Sequence, residues 1–164
     1  SVFTCPLAPP LGEDLGIRAA NLRIGIVFST KGGALPELML PIKFGVASYF
    51  ADGRAWYSWA HIDDVCRQFL FLLENENLTG NFNATAPNPL IIKDLSKKIA
   101  RGLGRPWAVS MPVPAFMLRL FLGEMADCVL DSVRVSSEKI IAAGFSFEFT
   151  DPEIAVRDLL ARKI

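Results

Sequence analysis

A chain of 164 residues holds one domain with a sizeable core, burying roughly two-thirds of its unfolded surface. Hydrophobic residues make up 51% of it, yet no window reaches the roughly 18 uncharged apolar residues of a membrane-spanning helix, and its 17 basic and 17 acidic residues are scattered without the Lys/Arg stripe that phosphate-backbone binding needs. Membrane and nucleic acid are therefore set aside as partners, and three cysteines (Cys5, Cys66, Cys128) that are far apart and form no C-x-x-C point away from a disulfide framework or zinc site and toward a reducing, cytoplasmic compartment.

No charged segment, apolar run and small-residue cleavage site precede the first structured region, so no export signal is expected. The opening Cys5-Pro6-Leu7-Ala8-Pro9-Pro10 reads as punctuation and hints that the chain begins inside a larger protein. Residues 19–28 form a short apolar run with β-branched members, the pattern of a strand buried in a parallel sheet. Gly32-Gly33 ends the following loop as a turn rather than a phosphate nest, because the full strand–glycine–helix context is lacking. Residues 34–44 then place Leu35, Leu38, Met39 and Ile42 at helical spacing, with Pro36 and Pro41 limiting regularity.

An aromatic strand over residues 57–61 precedes a helix over 63–73, whose apolar positions on two adjoining stripes predict nearly complete burial. A short strand is expected at residues 81–85, and Asn88-Pro89 reads as the cap and first turn of an amphipathic helix with Ile91, Leu95, Ile99 and Leu103 every four residues. Residues 112–122 are apolar on nearly every face, with Arg119 the only charge, which predicts a core helix or a partner surface. Ser136-Ser137 caps a short helix ending at Gly144, residues 145–149 alternate as a strand, and Asp151-Pro152-Glu153 opens a final helix through Leu160. Strands alternating with helices predict the α/β class, and no internal linker is long enough to force a second domain.

The chemistry concentrates at Gly53-Arg54-Ala55-Trp56-Tyr57-Ser58-Trp59-Ala60-His61-Ile62-Asp63-Asp64-Val65, where three aromatics in an extended run feed into two acids at the start of a helix. Trp56, Tyr57 and Trp59 either wall an apolar pocket or pack in the core. Arg54 either contacts a substrate or phosphate or stays solvated, and His61, the only histidine, is read as a buried strand-end residue or a ligand contact. A single histidine excludes a multi-histidine metal site; no metal ligands are assigned. Asp63 and Asp64 are expected to cap helix N–H groups and oppose its dipole, each contributing about 0.5–1 kcal/mol.

This segment resembles the W-x-H-I-D-D-V junction of the extended, epimerase-type short-chain dehydrogenase/reductases. Leu22-Arg23-Ile24-Gly25-Ile26-Val27 resembles the strand after that family's catalytic lysine, Lys31-Gly32-Gly33-Ala34-Leu35 the loop and helix start that follow, Gly80-Asn81-Phe82-Asn83 its G-x-(F/Y)-N strand, and residues 139–147 its K-x-x-x-x-G-F-x-F tail. The tail and the Gly-Gly-Ala-Leu loop point to the branch called epimerase family proteins, and the chain looks like the carboxyl-terminal half of one. The resemblance implies the last part of a Rossmann-like doubly wound sheet over residues 20–60 and a small mixed α/β substrate lobe over 61–164, within one unit. It implies NADP, in preference to NAD, held mainly by residues outside this chain, with Gly25, Ile26 and Val27 passing the nicotinamide end through backbone groups.

It also implies a small-molecule substrate contacted by Arg54, Tyr57, Trp59 and His61. No catalytic residue is assigned. The glycine-rich cofactor turn is absent from these residues, and so is the family's Tyr-x-x-x-Lys pair, since Tyr49 is followed four on by Gly53 and Tyr57 by His61. Where sugar-nucleotide epimerases place a diphosphate-binding arginine, this chain carries Tyr57, and a phenol does not replace a guanidinium there, so a substrate other than a nucleotide-sugar is favoured. The expected function is the substrate-side half of an NAD(P)-dependent epimerase or reductase acting on a carbonyl/hydroxyl centre; the alternative is a non-catalytic ligand-binding or assembly module. A sheet edge awaiting the other half invites association, so a homodimer or aggregate of the isolated chain is expected.

Overall fold

The computed structural model describes residues 18–50, 52–113 and 134–162. Its elements run β1 (Ala20–Ile24), β2 (Ile26–Phe28), α1 (Ala34–Lys43), β3 (Val46–Phe50), β4 (Trp56–Tyr57), β5 (Trp59–His61), α2 (Ile62–Glu74), β6 (Gly80–Ala84), β7 (Leu90–Ile91), α3 (Ile92–Gly102), β8 (Val109–Val113), α4 (Glu138–Ala142) and α5 (Pro152–Ala161). This is the expected α/β alternation.

The run read as one strand is two, parted at Gly25 for a steric reason. A Cβ there would stand 2.7 Å from Thr85 Cγ2 and closer still to the Ser58 carbonyl oxygen. With no side chain in the way, the Gly25 N–H donates to the Ala84 carbonyl at 3.2 Å and the Ile26 N–H to that of Ser58 at 2.9 Å. The strand thereby exchanges one neighbour for another. β1 pairs in parallel with β6, Ala20 opposite Gly80 through Ile24 opposite Ala84, and β2 pairs in parallel with β5, Ile26 opposite Trp59 and Phe28 opposite His61. β3 and β8 form another parallel pair, Val46 opposite Val109, and β4 and β7 a short antiparallel one, Trp56 opposite Ile91.

Among the described residues, three apolar clusters hold the layers. The main one joins Phe28, Leu35, Leu38, Met39, Ile42, Tyr57 and Trp59 to Ile92, Leu95, Ile99 of α3 and Val156, Leu159 of α5. The α1 contribution is the set of positions its spacing predicts, and Pro41 is tolerated close to the helix end. A second cluster gathers Leu72, Phe82, Ile140 and Phe145, and a small third one, Ala60, Val65 and Ala84, bridges the sheet. α3 and α5 touch closely because Gly102 lacks a Cβ, which would meet Val156 Cβ at 2.8 Å.

The structure corrects several expectations. α2 is not almost wholly buried: Asp64, Val65, Gln68 and Leu72 face inward, while Cys66, Phe69, Leu70 and Leu73 are exposed, since the helix lies on the sheet by one stripe only. Asn88-Pro89 does not start a helix; Leu90 and Ile91 first pair with β4, and α3 begins at Ile92, its first N–H groups donating to the Ala55 and Gly53 carbonyls. Residues 145–149 alternate in burial as predicted but form no strand; the N–H groups of Glu148 and Phe149 find a carboxylate, described below, in place of a neighbouring chain. Pro112 and Val113 close β8 instead of opening a helix, and residues 114–122 of that expected helix lie outside the described residues. β8 itself carries no predicted counterpart.

Candidate functional site

The site is built where β5 hands over to α2 beside the Gly25 crossing. Successive strand residues point to opposite faces, and on β5 both faces are covered, so Trp59, Ala60 and His61 are all buried. The Trp59 indole lies 5.3 Å from Phe28 and its N–H donates to the Asn88 carbonyl at 3.1 Å, which satisfies the polar edge of an otherwise apolar side chain. Tyr57 is buried in the main core, and that burial pushes its phenol well above the usual range.

His61 is the N-cap of α2. Its Nδ1 accepts the Asp63 N–H at 3.2 Å, a job the sequence reading gave to the aspartates themselves. An Nδ1 that accepts implies a neutral ring with its proton on Nε2, and Nε2 lies 3.4 Å from Asp158 Oδ2. The ring stacks on Phe149 at 3.8 Å between centroids. Burial holds the imidazole below its ordinary 6.5, against the upward pull of Asp63, Asp158 and Asp64 and with the downward push of Arg162.

The two aspartates serve tertiary contacts instead of capping. Asp63 pairs with Arg162, whose hydrogen bonds hold its carboxyl below the usual carboxylate range, and Arg162 also reaches Asp158 at 2.6 Å. Asp64, 1% exposed, accepts the Glu148 N–H at 3.0 Å, the Phe149 N–H at 2.9 Å and Arg67 Nη1 at 2.9 Å. His61, Asp63 and Asp158 offer three ligand atoms within 4.8 Å of one another. They form an ion-pair lock rather than a cation site: both carboxylates already hold Arg162, and ligation through Nε2 would require the tautomer that breaks the α2 cap.

Of the residues assigned to a site from the sequence, Ile26 and Val27 lie opposite Trp59 and Ala60, Gly25 just precedes them, and His61 lies opposite Phe28. Tyr57 sits one residue before the turn into β5, its side chain in the core. Arg54 stands apart on an exposed loop, its backbone N–H on Asp52 Oδ1 at 3.0 Å and its guanidinium 4.0 Å from the same carboxylate. Gly33, at φ 82°, turns the chain into α1. Sequence reasoning missed Thr85, which packs its methyl against the Gly25 position and whose buried hydroxyl has no hydrogen-bond partner among the described residues. It also missed Phe149, Asp158 and Arg162, all about 90 to 100 residues from the His61 they surround.

Comparison with known proteins agrees with this architecture. Residues 113–159 match a domain of unknown function, DUF1731. The chain is 39% identical over 153 residues to the epimerase family protein SAB0724c of Staphylococcus aureus (strain bovine RF122 / ET3-1), covering 92% of this chain and 49% of the relative. It is 39% identical over 150 residues to the epimerase family protein YfhF of Bacillus subtilis (strain 168), covering 91% and 48%. The chain thus spans about half the length of the curated relatives it matches. Among solved structures, it superposes with a TM-score of 0.78 and 24% identity on human epimerase family protein SDR39U1 (isoform 2) with NADPH, covering 87% of this chain and 48% of that one. UDP-N-acetylglucosamine 4-epimerase from Bacillus cereus gives 0.68 at 15% identity, covering 90% and 47%. At those identities the two structures share the fold.

Proposed function

We propose, from the premise that this chain belongs to the epimerase family proteins and corresponds to their carboxyl-terminal half, that it forms the substrate side of an NAD(P)-dependent epimerase or reductase. The reaction is hydride transfer at a carbonyl/hydroxyl centre of a small molecule, with the acid/base and the cofactor's phosphate cradle supplied by a Rossmann half outside these residues. The cofactor is NADP(H), the form present in the human relative's structure. Its nicotinamide end passes the backbone of Gly25, Ile26 and Val27.

The observation that supports this reading is the side-chain-free crossing at Gly25. Parallel sheets place ligands at the carboxyl ends of their strands, and there β1 and β6 end together, at Ile24 and Ala84, with Thr85 Cγ2 and the Ser58 carbonyl too close for any Cβ on residue 25. The Cβ side of residue 25 is filled by Thr85 and Ser58, and the part of its backbone left exposed is what this reading offers to a flat ring. Tyr57, by contrast, is committed to the core, in keeping with a substrate other than a nucleotide-sugar.

Calorimetric titration of NADPH and NADH into this chain, and into the chain joined to the amino-terminal half of YfhF, tests the reading. The joined protein is expected to bind NADPH more tightly than NADH, and the 164 residues alone to bind neither at micromolar concentration. Micromolar binding by the chain alone would refute the assignment of the cofactor to residues outside it. In the joined protein, Gly25→Val should weaken NADPH binding; unchanged affinity in a folded variant would remove the Gly25 crossing from the site.

A further inference from the structure

On the other side of β4 from Tyr57, a cavity of about 400 Å³ opens among Trp56, Pro89, Leu90, Lys98, Arg134 and Asp151. Adjacent strand residues face opposite ways, so Trp56 looks into this cavity while Tyr57 is buried in the main core. Its lining includes none of Gly25, Ile26 and Val27, and nothing in the proposed hydride chemistry uses it. Its volume falls within the roughly 300–1,000 Å³ of small-molecule sites, and its walls alternate apolar rings with polar groups.

The charges are unevenly distributed. Lys98 is engaged by the Asp151 carboxylate, which also caps α5 by accepting the Glu153 N–H at 2.8 Å. Arg134 has no such partner: its guanidinium carbon sits 4.7 Å from the centre of the Trp56 ring, and among the described residues no carboxylate pairs with it. Among the described residues, the cavity thus holds one positive charge without a carboxylate partner, on a planar fork with five N–H donors, beside an indole face and prolines.

We infer that this cavity is a binding site for a small organic carboxylate with a flat apolar body, its carboxylate on Arg134 and its body against Trp56, Pro89 and Leu90. A monoanion neutralises the single free charge. A phosphate dianion would exceed it and face Asp151, so the charge balance selects a carboxylate over a phosphate ester. The indole that carries the guanidinium also supplies the apolar wall, so one residue serves both parts of the ligand.

The test is a nitrogen-edited NMR titration of the full 164-residue chain with benzoate, phenyl phosphate and benzyl alcohol, read at the Trp56 indole N–H and the Asn88 side-chain amide. Benzoate should shift both resonances saturably at millimolar concentration, phenyl phosphate should bind more weakly, and benzyl alcohol should leave them in place. Arg134→Gln should weaken benzoate about tenfold with the remaining spectrum unchanged, the size of one charge-assisted contact. Equal shifts with benzyl alcohol would identify a merely apolar cavity, and tighter phenyl phosphate binding would overturn the charge balance; either result, unchanged affinity in Arg134→Gln, or no shift with benzoate, sinks the inference. The three ligands compared on the unaltered chain decide the matter even if the variant misfolds.

Discussion

Replacing Asp64 by Asn tests how residues 145–149 are held. The carboxylate accepts two backbone N–H groups, from Glu148 and Phe149, in a setting that is 1% exposed at Asp64 and buried at Phe149. Asn keeps the shape and one acceptor oxygen but turns an NH₂ toward the second N–H, so one backbone donor loses its partner against another donor. A hydrogen bond to a charged acceptor contributes about 1.5–3 kcal/mol, and an orphaned buried donor costs about 1–3 kcal/mol. Arg67, on the same carboxylate but partly exposed, adds no more than about 1 kcal/mol. The expected loss is about 3 kcal/mol, a drop of roughly 6–12 °C in Tm for a chain of this length. Urea unfolding followed by circular dichroism measures it, and hydrogen exchange at the Phe149 amide should accelerate in step. A loss under about 1 kcal/mol, with Phe149 still protected, would refute the claim that this carboxylate stands in for a neighbouring strand.

Because His61 is the only histidine and burial holds its pKa below 6.5, the unfolded chain takes up the proton first as pH falls; stability present above about 6.5 should decline on acidification, with Asp63 contributing only in the lower carboxylate range. Urea midpoints from pH 8 to 5 check this, and an equal slope in His61→Asn would place its origin elsewhere. Gly102→Ala should destabilise by about 1–3 kcal/mol despite alanine's better helix propensity, because the new methyl meets Val156 at 2.8 Å; thermal unfolding decides, and a gain in stability would mean α5 yields freely. Arg162→Ala should lower the urea midpoint only slightly, since its contacts with Asp63 and Asp158 are partly exposed; a large drop would show the ion-pair lock to be stronger than a surface pair.

Local pattern was legible wherever one face alone decides the structure. Leu35, Leu38, Met39 and Ile42 read directly as the buried side of α1, and Asp151-Pro152 as the cap and first turn of α5. The reading failed where a distant partner decides. Residues 145–149 show strand alternation, but their hydrogen-bond partner is Asp64, more than 80 positions earlier. β8 escaped notice because Val109 and Met111 are exposed and Pro112 lies within it. Asn88-Pro89 carries a helix-start signal that β-pairing of the next two residues overrides. At the site, the family resemblance singled out Gly25, but the run around it reads as one strand and the change of neighbour there is not visible in it; the cap role of His61 goes with a ring stacked on Phe149 and lying beside Asp158, which no spacing within residues 53–65 announces.

The register of the sheet pairs has a consequence for how the chain is made. β1 and β6 are offset by 60 residues and β3 and β8 by 63, and none of the four pairs is a tight hairpin. At about 5–20 residues per second of synthesis, β1 leaves the ribosome roughly 3–12 seconds before its partner strand exists. During that interval its backbone edge is open and competes for other strands, and topology of this kind folds slowly once complete. Production of this protein should therefore respond to translation speed, temperature and holdase chaperones more than to substitutions on its finished surface.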